Sequence, residues 1–81
     1  MPLSLWGAEA MFQVKWITYR GGQLVDIVEV EDCELRRLDE VVATCQIRLG
    51  RMRQRHATNP PDGFLVIDSD GKELRRWIGK A

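Results

Sequence analysis

Histidine is almost missing from this 81-residue sequence: His56 stands alone, beside two cysteines, Cys33 and Cys45. One histidine and two distant cysteines cannot supply the four ligands of a structural zinc site within one chain. His56 has no convincing orienting partner or nucleophile for general-base work. Charge of one sign is also missing, with 12 basic and 12 acidic side chains and a formal net charge of zero. That balance argues against a protein whose main task is to grip nucleic-acid backbone. No run approaches the roughly 20 apolar residues of a membrane span. Residues 1–10 (MPLSLWGAEA) lack the basic start and apolar stretch of a secretion signal. They are expected to be a flexible extension, with residues 11–81 forming a single domain in the cytoplasm. No glycine-rich loop of phosphate-binding type occurs, since Gly21-Gly22 lacks the lysine and helix start that should follow. These absences predict no catalytic residues, no cofactor, no metal and no membrane partner.

What is present is patterned. Residues 11–19 (MFQVKWITY) alternate with period two and are rich in β-branched and aromatic types, which predicts a strand. Gly21-Gly22 suits a tight turn, and residues 23–30 (QLVDIVEV) read as the return strand. A two-residue turn would set Trp16 opposite Ile27 and Thr18 opposite Val25, burying Val14, Trp16, Val25 and Ile27 together. Asp32 is placed to cap a helix. From there Leu35, Leu38, Val42, Cys45, Leu49, Met52 and His56 recur at steps of three and four, an apolar stripe predicting a helix over about 33–56. Gly50 lies within it. With both cysteines on that helix, a rise of about 1.5 Å per residue would part them by roughly 18 Å. A disulfide needs Cα atoms within about 7 Å, so on this reading an intrachain bridge is excluded.

Asn59-Pro60-Pro61-Asp62-Gly63 breaks the helix. Residues 63–68 (GFLVID) and 73–78 (ELRRWI) then read as strands about an Asp70-Gly71 turn. The order β-β-α-β-β implies an α+β two-layer sandwich: two antiparallel hairpins in one four-stranded sheet, packed on one long helix. Leu65, Ile67, Leu74 and Ile78 are expected to face the helix. The opposite face would carry Ile17, Tyr19, Phe64, Val66, Arg75 and Trp77, together with Lys15. So much apolar surface in solvent normally marks an interaction site. These six residues form the candidate interaction surface, for a protein partner or a second copy.

Acids crowd residues 24–45, and arginines crowd residues 46–56. That polarity suits a helix dipole without any partner. It also raises an alternative: a nucleic-acid-binding protein gripping phosphates with Arg48, Arg51 and Arg55. Asp68-Ser69-Asp70-Gly71 resembles part of a calcium loop. The loop, however, needs an acid and a bidentate glutamate where Val66 and Trp77 stand, so turn chemistry explains it better. Cys33 near a helix start could have an activated thiol, but Glu31, Asp32 and Glu34 oppose its ionisation.

The Gly-Gly hairpin, Leu-Asp-Glu-Val-Val-Ala at 38–43 and Val-Ile-Asp-Ser-Asp-Gly-Lys-Glu-Leu at 66–74 together resemble small β-β-α-β-β proteins of unknown function from alphaproteobacteria. The resemblance spans residues 11–78. It implies the fold and transfers no activity or site residue. The sequence therefore predicts a non-enzymatic interaction module that dimerises or docks through its open sheet face or an exposed strand edge.

Overall fold

Gly21 and Gly22 adopt φ of 59° and 80°, the left-handed region that only glycine enters freely. They close a hairpin between β1 (Phe12–Arg20) and β2 (Gln23–Cys33). The computed structural model describes residues 12–79, so the expected extension at residues 1–10 lies outside the described residues. A helix, α1 (Leu38–Arg55), and a second hairpin, β3 (Gly63–Asp68) with β4 (Glu73–Ile78), complete the chain. The four strands form one antiparallel sheet in the order β2-β1-β3-β4. The β-β-α-β-β layout and the four-stranded sheet with one helix are as the sequence predicts.

The helix begins five residues later than expected. Asp32 does not cap it. Asp32 continues β2, pairs with Gln13 and accepts a hydrogen bond from Gln13 Nε2 at 3.2 Å. The cap position falls to Arg37, which makes no side-chain capping bond. Strand pairing thus outcompetes local cap chemistry at Asp32. Asp39 and Glu40 in the first turn and Arg53 and Arg55 in the last complement the helix dipole.

The core lies between α1 and one sheet face. Val41, Cys45, Leu49 and Met52 from the helix meet Val14 and Trp16 of β1 and Phe64 and Val66 of β3. Phe64 sits between two indoles. Its ring lies edge-on to Trp16 and stacked on Trp77, with centroids 5.6 Å away in both cases. The second hairpin is therefore the other way up from the sequence expectation: Phe64, Val66 and Trp77 pack beneath the helix, while Leu65 and Ile67 face away with Ile17. The β1–β3 register decides this, by setting Phe64 opposite Trp16 and Val66 opposite Val14. Neither hairpin turn carries that information.

Gly63 lies hard against β4. A Cβ there would lie 2.1 Å from the Trp77 carbonyl oxygen, so no side chain fits. The adjoining Asp62 ties three segments. Its amide donates to the Ile17 carbonyl at 2.7 Å, its carbonyl accepts from Gly79 at 2.8 Å, and its carboxylate accepts from the Tyr19 amide at 2.8 Å.

Candidate functional site

The exposed apolar surface of the molecule gathers on β2. Among the described residues, five large hydrophobic side chains are exposed. Four of them (Leu24, Val25, Ile27 and Val30) lie on this strand, and the fifth, Ile47, is on α1. β2 is an edge strand of 11 residues, paired on one side by β1. Among the described residues no strand pairs with its outer edge, and such an edge is a ready template for another strand.

Two register shifts arrange these side chains. Near the turn Tyr19 pairs with Leu24. Between the shifts Ile17 pairs with Ile27, and beyond them Trp16 pairs with Glu29 and Val14 with Glu31. An uninterrupted hairpin would bury Val25 and Ile27 with Trp16. The shifts instead turn Ile27 to the face away from the helix, and Val25 is 59% exposed. Beneath the helix β2 presents Glu29, Glu31 and Cys33.

The six residues of the expected interaction surface do not come together. Phe64 and Val66 are fully buried in the core, and Trp77 is half-buried against it. Ile17 does lie on the face away from the helix, but it too is fully buried. Tyr19 is half-buried there, with its hydroxyl donating to the Gly22 carbonyl at 2.9 Å. The guanidinium of Arg76 covers its ring at 5.8 Å and is held by Glu73 at 2.9 Å. Arg75 is exposed and donates to the adjacent Leu74 carbonyl at 3.0 Å. The acids at 29 and 31, alternating with valines at 28 and 30, were a readable signal that β2 turns charge toward the basic end of the helix.

That charge forms a seam. Arg48 donates to both oxygens of Glu31, at 2.8 and 3.1 Å, and Trp16 Nε1 donates to the same carboxylate at 2.8 Å. Arg48 also lies over the Trp16 ring at 5.4 Å. Burial alone would raise the Glu31 pKa. The hydrogen bonds from Arg48 and Trp16 and the charges of Arg48 and Arg55 outweigh it, holding the carboxyl below its ordinary range. The Arg48 guanidinium is correspondingly held more firmly protonated by Glu31. Further along, His56 Nε2 lies 2.7 Å from Glu29 Oε1, and Arg55 Nε lies 3.9 Å from the same oxygen. Of the three arginines considered for nucleic acid, Arg48 and Arg55 face acids of this chain, and Arg51 is exposed.

The Asp68–Gly71 segment is a turn. Asp68 Oδ1 accepts from the amides of Asp70 and Lys72, both at 2.9 Å, and Gly71 takes a φ of 85°. Among the described residues no group of three His, Cys, Asp or Glu side chains gathers as metal ligands. No described helix is long and apolar enough to cross a membrane. No family model, curated protein or solved structure matches the chain.

Proposed function

We propose that the protein is a non-enzymatic interaction module of the cytoplasm that pairs with a second copy of itself through β2. The observation that carries this reading is the concentration of exposed apolar side chains on β2, the edge strand of the sheet among the described residues. Natural edge strands are usually blunted by lysine, proline, shortness, bulges or inward-pointing charge. β2 is long and contains neither lysine nor proline, and its two register shifts and inward acids leave its apolar row on the opposite face exposed.

Leu24, Ile27 and Val30 pair with Tyr19, Ile17 and Lys15 and so share the face away from the helix, where a second copy paired antiparallel along the edge would add its own apolar row. Glu29 and Glu31 already face Arg55 and Arg48 of α1. A two-fold contact of this kind closes on itself and joins the two sheets into one of eight strands.

Sedimentation velocity over a range of concentrations tests the reading. The expected result is a monomer–dimer equilibrium that Val25→Lys with Ile27→Lys shifts fully to monomer, with far-UV circular dichroism unchanged. A wild-type chain that stays monomeric at high concentration, or a lysine double variant that dimerises as well as wild type, would overturn it.

A further inference from the structure

The inward side chains of β2 meet α1 in reverse chain order. Glu29 reaches His56 and Glu31 reaches Arg48. The next inward residue, two further along the strand, is Cys33, paired with Phe12 at the end of the ladder. One turn before Arg48 on the helix is Cys45. Cys45 is buried in the core cluster, and Cys33 is half-buried against that same cluster. The premise that excluded a bridge from the sequence, both cysteines on one helix, does not hold, because Cys33 belongs to the strand. Burial and, next, the charge of Cys33 push the Cys45 thiol up to about 12. Both are free thiols.

We propose that Cys33 and Cys45 are a redox pair, which a low-molecular-weight disulfide converts into an intrachain bridge fastening the end of β2 to α1. The half-buried Cys33 reacts first. It loses its proton to solvent and its sulfur attacks glutathione disulfide, forming a mixed disulfide as the glutathione S–S bond breaks. One glutathione leaves as thiolate and takes up a proton. Cys45 then loses its proton and attacks the Cys33 sulfur. The Cys33–Cys45 bond forms, the bond to glutathione breaks, and the second glutathione leaves and is protonated. Two electrons pass from the cysteine pair to glutathione disulfide, which becomes two thiols.

The experiment incubates the folded chain with excess glutathione disulfide at pH 9 to completion, followed by intact mass and peptide mapping without reductant. Expected is a monomer lighter by two hydrogens, in which tryptic peptides 21–36 and 38–48 are linked. Dithiothreitol should restore the starting mass. The bridge closes a short loop and should raise the melting temperature by roughly 10 °C. Cys33→Ser should yield neither the bridge nor the shift. Cys45→Ala should stop at a glutathione adduct on Cys33, a readout taken at the end of β2. Glutathione retained on Cys33 of the wild type with Cys45 free, no reaction at either thiol, or linkage only between chains would each overturn the proposal. The readout is the covalent state within one chain, so it stands or falls independently of self-association through β2.

Discussion

β2 and β3 flank the same central strand and are built to opposite plans. β3 is buried from Gly63 to Ile67 and presents Phe64 and Val66 to the helix. β2 turns two acids and a cysteine to the helix and leaves Leu24, Val25, Ile27 and Val30 in solvent. Where the helix offers Val41, Leu49 and Met52, the sheet answers with apolar groups. Where it offers Arg48, Arg55 and His56, the sheet answers with carboxylates. A strand's inner face is therefore decided by what stands opposite it, not by which of its own faces is the more hydrophobic.

The sharpest way to break this comparison is to truncate β3. Phe64→Ala removes a fully buried ring packed between Trp16 and Trp77 and should cost about 3–5 kcal/mol in denaturant unfolding. A loss under 1 kcal/mol would mean that Phe64 faces solvent. In β2 the inward group is a charge, and Glu31→Gln should cost about 1–2 kcal/mol, because Arg48 and Trp16 lose a charged acceptor.

The same carboxylate makes stability depend on pH. Its folded pKa lies below the ordinary value, so its contribution is fully present above about pH 4.3, the usual glutamate value. That contribution is lost as pH falls through the lowered folded value. Wild type and Glu31→Gln should therefore converge in stability on acidification, and a constant gap down to strongly acid pH would contradict the pairing. The smallest effect belongs to the outer face of β2. Val25→Ala, at concentrations where the chain is monomeric, should stay within about 0.5 kcal/mol of wild type.

The elements were legible because their signals are local: alternation in residues 11–19, glycines at 21, 22 and 71, and the three-four stripe from Leu35 to His56. The faces were less so. Hairpin arithmetic set Trp16 opposite Ile27 and Thr18 opposite Val25. It misplaced Trp16, which pairs with Glu29 rather than Ile27, because bulges add residues that no turn motif announces. The orientation of β3 depends on its pairing with β1, across the whole intervening helix, and period-two alternation is blind to such long-range register. Phe64, Val66 and Trp77 were assigned outward for that reason. The helix start was misplaced because Asp32 is equally suited to cap a helix or to extend a strand.

The seam of Glu29, Glu31 and Cys33 also determines where along the sheet the helix comes to rest. An apolar helix on an apolar sheet has several nearly equivalent berths, one turn or about 5.4 Å apart. Sliding α1 by one turn would carry Arg48 and His56 away from their carboxylates together. Like wards in a lock, these polar contacts admit one alignment.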